Sequence, residues 1–218
     1  MLRAMLSKEL RETVWIALSG VLVQMYFVVG LMDVDLMTLR ARGRGGVPFV
    51  TDNFLASFVM VAAVVAAVLG FRQTVTESAR GTWLFLLQRP AERWHLLAMK
   101  MLTGAILYLV VSAIPVWIYA WWAATPGTHV GPFEWSMTLQ SWQCWISVTG
   151  VYFGAFLSGL RPARWFGTRL APLIGAGLLL GLAQIVPYWW TLGLGAVLLI
   201  DAWLVATILA VARTRDYS

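Results

Sequence analysis

Residues 14–32, 54–71, 101–124, 137–160, 170–186 and 192–212 form six apolar runs separated by more polar connections. Each is close to the about 17–25 residues that a helix needs to cross a hydrocarbon core of about 30 Å. Lipid offers no hydrogen bonds, so a segment at that depth must satisfy its own backbone, and an α-helix does this within one segment. The chain is therefore read as an all-α, polytopic integral membrane protein. It forms a single transmembrane domain over residues 1–218 with six transmembrane helices. Composition agrees: 60% of the residues are hydrophobic and 12% charged, too apolar for an ordinary soluble domain. Lipid is thus an expected partner. Between the last two runs, Pro187, Tyr188, Trp189 and Trp190 are read as a turn at the interface rather than a kink in one long unit.

Basic residues orient such a chain, because loops rich in Lys and Arg stay in the cytoplasm. Taking the connections alternately, one side carries thirteen basic residues: Arg3, Lys8, Arg11, Arg72, Arg80, Arg89, Arg93, Lys100, Arg161, Arg164, Arg169, Arg213 and Arg215. The other side carries three, Arg40, Arg42 and Arg44. Both termini are expected in the cytoplasm, with the chain multi-pass in the cell membrane. The net charge of +6 then reports topology, and no nucleic-acid partner is expected. The first apolar run is longer than the core of a cleavable signal and is followed by Met32-Asp33-Val34-Asp35, so it is read as a retained span.

Leu2, Met5, Leu6 and Leu10 fall near helical spacing with Lys8, Glu9, Arg11 and Glu12 between them. This pattern suits a short N-terminal amphipathic helix on the membrane surface and equally suits a charged anchor for the first span. Residues 33–53 make the longest outer connection. Its glycine-rich stretch at 42–46 disfavours helix, and its three arginines and three aspartates (Asp33, Asp35, Asp52) cancel, so it is read as a connector. Residues 72–100 differ, since charge there is mixed with Trp83, Leu84, Phe85, Leu86, Leu87 and Trp94. Two short helices interrupted at Pro90 fit that length, lying at the interface or against another protein. Gly150, Gly154 and Ser158 in the fourth run, and Gly177 and Gly181 in the fifth, recur every four residues. Such spacing permits close helix approach and is read first as packing within the chain, with a dimer contact as the lesser alternative.

No phosphate-binding loop G-x-x-x-x-G-K-[ST], no H-E-x-x-H and no G-x-S-x-G occurs, so the chain is not read as an enzyme. The single cysteine, Cys144, excludes an intramolecular disulfide, and no metal or cofactor site is expected. Asp201 near the middle of the sixth run stands out, because a carboxylate there costs about 2.5–3.5 kcal/mol on insertion scales. It either faces a polar conduit or pairs with another helix, with Gln184 as a further member of an intramembrane polar site, or it is protonated or bonded to Thr207, Gln184 or a tryptophan N–H. Gln24 and Gln143 are read as interhelical hydrogen-bonding residues.

Residues 71–100 resemble the inner loop of ABC-2 type transporter permeases. In that family an acidic residue, a Gly-Thr pair, a leucine-rich run, a Pro, an Arg and a Lys opening the third span follow one another. The matching positions here are Glu77, Gly81-Thr82, the stretch 84–87, Pro90, Arg93 and Lys100. Leu6-Ser-Lys-Glu-Leu-Arg11 is similar to the surface helix that opens many of these permeases. The family often has a second acidic residue just before Gly-Thr, where this chain has Ala79-Arg80. The resemblance implies the membrane-spanning subunit of an ABC transporter, an exporter of an unidentified substrate. ATP and Mg would be bound by a separate ATPase subunit, with a second permease subunit completing a homo- or heterodimer. It further implies a cytoplasmic coupling helix between spans 2 and 3, with Glu77, Arg80, Gly81, Thr82, Pro90 and Arg93 as the ATPase-coupling loop. A haem-exporter-like permease, a membrane enzyme built on Asp201, and a scaffold are the rival readings.

Overall fold

The computed structural model describes residues 2–32, 34–35, 40–41, 47–50, 52–80, 93–129, 131–161 and 168–214. Helix dominates them: α1 Leu2–Leu31, α2 Phe54–Arg80, α3 Arg93–Ala124, α4 Leu139–Ser147, α5 Thr149–Leu160, α6 Ala171–Ala183 and α7 Leu194–Thr214. Short 3-10 turns, Trp135–Thr138 and Thr168–Leu170, lead into α4 and α6, and a π-helical turn, Trp189–Gly193, leads into α7. A two-residue antiparallel pair, Val34–Asp35 with Arg40–Ala41, is the sole strand structure among the described residues.

Among the described residues four helices are long and apolar enough to cross a membrane: Ser7–Leu31, Phe54–Thr76, Trp94–Ala124 and Trp189–Val211. At about 1.5 Å per residue, each exceeds a core of about 30 Å. Their outward side chains are apolar and exposed, including Trp15, Leu22 and Tyr26 on α1 and Leu198, Leu199 and Trp203 on α7. The fourth and fifth apolar runs take a different form. The fourth is divided between α4 and α5 at Val148, whose backbone stays right-handed, and bonds from Val148 N to Cys144 O (3.0 Å) and Tyr152 N to Val148 O (3.3 Å) carry the helix across. The fifth keeps only the thirteen residues of α6, about 20 Å of helix, before the chain bends through residues 184–188. Tyr188 at the end of that bend has φ 53°.

Two further features depart from the reading of the sequence. No break separates a surface helix from the first span, because α1 is continuous from Leu2 to Leu31; the charges at its start sit on an extension of the spanning helix. The helices flanking the inner connection are also longer than their apolar runs, with α2 reaching Arg80 and α3 starting at Arg93. Pro115 lies inside α3 without ending it. The connection 81–92, expected to hold the coupling helix, is outside the described residues.

Helix α5 occupies the centre. It packs most extensively against α2 and then against α6 and α7, and Tyr152, Ala155, Phe156 and Leu160 are fully buried. Glycines make that approach possible. A Cβ on Gly70 of α2 would stand 2.6 Å from Tyr152 O and 2.8 Å from Phe156 N, both backbone atoms that cannot rotate away. Gly150 and Gly154 of α5 are packed likewise, the former against Leu180 and Asp201 and the latter against Ala176 and Pro172. Gly177 and Gly181, by contrast, have nothing within 4 Å of a built Cβ, so packing within this chain does not account for that pair.

These distances set a comparison. Gly70→Ala should destabilise the protein by about 1–3 kcal/mol, as overpacking does where backbone must move, while Gly177→Ala should leave stability within about 0.5 kcal/mol of wild type, as for open positions. Thermal unfolding of the two purified variants in one detergent measures the difference, and equal melting temperatures would refute the packing described.

Candidate functional site

Two groups of polar side chains lie inside the bundle. The first is at the end where α2 stops and α3 begins. Lys100, about two turns into α3, forms an ion pair with Glu9 of α1 at 2.9 Å, and the side chains are 3% and 6% exposed. A lone charge held this deep costs several kcal/mol, and pairing at hydrogen-bond distance is what makes the position tolerable. Both lie on helices long and apolar enough to cross a membrane, Ser7–Leu31 and Trp94–Ala124. Thr13, one turn after Glu9, donates its hydroxyl to the Glu9 carbonyl at 2.7 Å.

The same end ties in two more helices. Gln73 of α2 donates through Nε2 to the Lys100 carbonyl at 3.0 Å. The Tyr152 hydroxyl of α5 lies 2.6 Å from Gln73 Oε1 and 2.9 Å from the Met101 carbonyl, sharing one proton between two acceptors. Gly104, one turn further along α3, leaves the space: a Cβ there would stand 2.5 Å from Gln73 Oε1 and against the Tyr152 hydroxyl. Gly159 similarly accommodates the Thr74 hydroxyl, which turns back to the Gly70 carbonyl at 3.0 Å. Glu9, Lys100, Gln73 and Tyr152 thus join α1, α2, α3 and α5 at one point.

The second group surrounds Asp201. Its Oδ2 lies 2.6 Å from the Thr149 hydroxyl at the start of α5, and that hydroxyl also lies 2.6 Å from the Ile146 carbonyl. Oδ1 is buried without a hydrogen bond, against the place where Gly150 lacks a side chain. Asp201 thus pairs with another helix, through Thr149 rather than through Thr207 or Gln184. Thr207 bonds back to Trp203 O at 2.8 Å, and Gln184 donates to Ser147 Oγ at 2.6 Å. Asp201 and Gln184 both attach to the α4–α5 stretch, at Thr149 and Ser147 respectively. Gln184, Ser147 and Cys144 line a cleft of about 270 Å³ with Val59, Ala63 and Gly181. Among the described residues no group of three or more His, Cys, Asp or Glu side chains could hold a metal ion.

At the opposite end Asp52 organises the start of α2. Its carboxylate accepts from Phe54 N and from Phe49 N, each at 3.1 Å, and from the Tyr119 hydroxyl of α3. The first of these satisfies an N–H that the helix start leaves open. Phe49, Phe54, Phe58, Tyr119 and Trp122 stack around it.

The side chains of Glu77, Arg80 and Arg93, and residues Gly81, Thr82 and Pro90, lie outside the described residues. What the structure adds to that loop is its two abutments, Gln73 before it and Lys100 after it. Sequence reading placed Lys100 at the start of the third span and Glu9 among surface charges. It did not single out Gln73 or Tyr152. The available signal was a glutamate and a lysine each set inside, rather than outside, an apolar helix. No spacing rule links partners 27 and 79 residues apart.

A family model described as ABC-2 family transporter protein matches residues 7–212. No curated protein and no solved structure matches the chain.

Removing one charge of the buried pair tests its energetics. Lys100→Met alone strands the Glu9 carboxylate and should cost about 3–5 kcal/mol, whereas adding Glu9→Gln should recover a large part of that loss. Thermal unfolding in detergent of the single and double variants reads the difference. A Lys100→Met protein as stable as wild type would show that the pair is not buried as described.

Proposed function

Because the chain belongs to the ABC-2 transporter family, we propose that it is the membrane-spanning permease of an exporter driven by ATP hydrolysis in a separate subunit. The observation that carries this reading is the family match, which runs over residues 7–212, from within α1 to the last turn of α7, and so takes in every helix of the bundle. The chain holds no phosphate-binding loop of its own, and the ATPase, with its bound ATP and Mg, is a partner. A second permease subunit, identical or related, completes the transporter.

In this reading the six-span arrangement counts the α4–α5 stretch as the fourth crossing and α6 with its flanking turns as the fifth. Helices α1, α2 and α3 alternate in direction, as do α5, α6 and α7, which returns the end of α7 to the side on which α1 starts. The excess of Lys and Arg at that end supports a cytoplasmic position for it, in the cell membrane. The connection 81–92 then faces the ATPase as the coupling loop. Its ends are continuous with α2 and α3, so a push on it is delivered along two long helices and through Gln73 and Lys100 to α5 and α1. Glu77 and Arg80, at the loop's entrance, are the charged residues assigned to the ATPase contact.

Purification of the tagged chain from its native membrane in mild detergent should bring down a stoichiometric ATP-binding subunit with ATPase activity. Charge reversal, Glu77→Arg or Arg80→Glu, should lower the recovered ATPase subunit or uncouple its hydrolysis from transport without reducing membrane insertion. A chain that emerges alone, under conditions that keep other transporter complexes intact, would sink the permease reading.

A further inference from the structure

The bundle is held mostly by apolar contacts, which tolerate small sliding displacements because they have no preferred direction. A hydrogen bond differs, weakening steeply once its geometry departs from a narrow range. The Tyr152 hydroxyl is placed so that this difference matters. It touches Gln73 Oε1 on α2 and the Met101 carbonyl on α3, the two helices that enter and leave the connection 81–92. Gln73 in turn binds the carbonyl of Lys100, whose ammonium holds Glu9 on α1. One fully buried hydroxyl therefore registers α5 against both arms of that connection, and an axial shift of either arm by a fraction of a helix turn must break a bond or carry α5 with it.

We propose that Tyr152 is a positioning residue that couples α5 to displacement of the α2–α3 arms, so that movement imposed at the 81–92 connection reaches the cleft lined by Cys144, Ser147 and Gln184. This proposal rests on the permease reading, in which ATP hydrolysis by the partner supplies the movement. The path is contiguous. Tyr152 is two turns of helix beyond Cys144, and the intervening Val148 backbone keeps its hydrogen bonds to both sides. Gly104 serves the same tie from α3, since any side chain there would displace the hydroxyl and the Gln73 amide together.

Cys144 is the chain's single cysteine, it is partly exposed, and it lines the cleft, so it reports on that end of the path. The experiment measures the rate at which N-ethylmaleimide alkylates Cys144 in the intact complex in lipid nanodiscs. Intact mass of this chain gives the rate, without nucleotide and after trapping with ATP and vanadate. In wild type the two rates should differ by about fivefold or more, the lower end of coupling between distant sites. In Tyr152→Phe, which keeps the ring and loses the hydroxyl, ATPase activity and assembly should persist while the two rates become equal. Gly104→Ala should give the same result from the other side of the bond.

A Tyr152→Phe complex that keeps the nucleotide-dependent difference would overturn the proposal, as would a wild-type complex whose Cys144 rate ignores nucleotide. Failure of both variants to assemble would also overturn it, because the tie would then be structural alone. A preparation that contains no ATPase subunit would instead sink the permease reading.

Discussion

Polar groups withdrawn into a bilayer must be met by protein, and that requirement shapes this molecule more than hydrophobic burial does. Lipid tails are as apolar as leucine, so apolar surface alone gives one helix little reason to prefer another over lipid. Directional bonds and close approach at small residues have to specify the arrangement. Among the described residues most of the interhelical hydrogen bonds converge on the α4–α5 stretch. Helix α2 reaches it through Gln73 and Tyr152, α6 through Gln184 and Ser147, and α7 through Asp201 and Thr149. Helix α3 reaches it through the Met101 carbonyl and also through Trp145, whose indole N–H donates to Leu109 O at 3.1 Å while its carbonyl accepts from the Tyr108 hydroxyl at 3.2 Å. Helix α1 is attached at one remove, by the Glu9–Lys100 pair on α3.

That pattern explains why charge is admitted to the interior at all. The Glu9–Lys100 pair costs desolvation at both partners, and a well-packed apolar pair of similar volume often does as well for stability. What such an apolar pair lacks is register: it can be satisfied equally at neighbouring positions along the helix. The Lys100 ammonium on α3, paired with Glu9, fixes the axial position of α1, which packs against both α2 and α3. Asp52 performs the corresponding task at the opposite end, where it caps α2 and takes the Tyr119 hydroxyl from α3.

Much of the fold was legible because membrane helices announce themselves by length. The runs at 14–32, 54–71, 101–124 and 192–212 all fall within long apolar helices, and the departures occur where apolar length and helix length part company. Glu77 and Arg80 are polar yet helical in backbone, as α2 continues past its apolar run, and the charged start of α1 does the same. The helix of the fifth run ends at Ala183, where the chain bends through 184–188 and Pro187 has no N–H to continue it. Of the candidate site, Asp201 was legible as an anomaly, since a carboxylate amid apolar residues is visible in one dimension. Its partner was not, because Thr149 is one of several hydroxyls in reach and only the packing of α7 on α5 selects it. The glycines show the same limit: Gly150 and Gly177 have equivalent four-residue spacing, yet one is enclosed and the other open.

The fourth run nonetheless carried its role in its composition. Between residues 137 and 160 it holds Thr138, Ser141, Gln143, Ser147, Thr149 and Ser158 together with Gly150, Gly154 and Gly159. For a helix that turns a broad face to lipid, such residues forfeit hydrophobic transfer and leave polar atoms unpaired. They become favourable only when neighbours surround the helix, since small residues let backbones close in and hydroxyls find partners across the gap. Helices α1 and α7, with exposed Trp15, Leu22, Leu199 and Trp203, have the opposite composition and the opposite position. In a bundle of this kind the least apolar crossing is therefore the one to look for at the centre, and here the inference from Ser, Thr, Gln and Gly content leads to the helix on which the directional bonds converge.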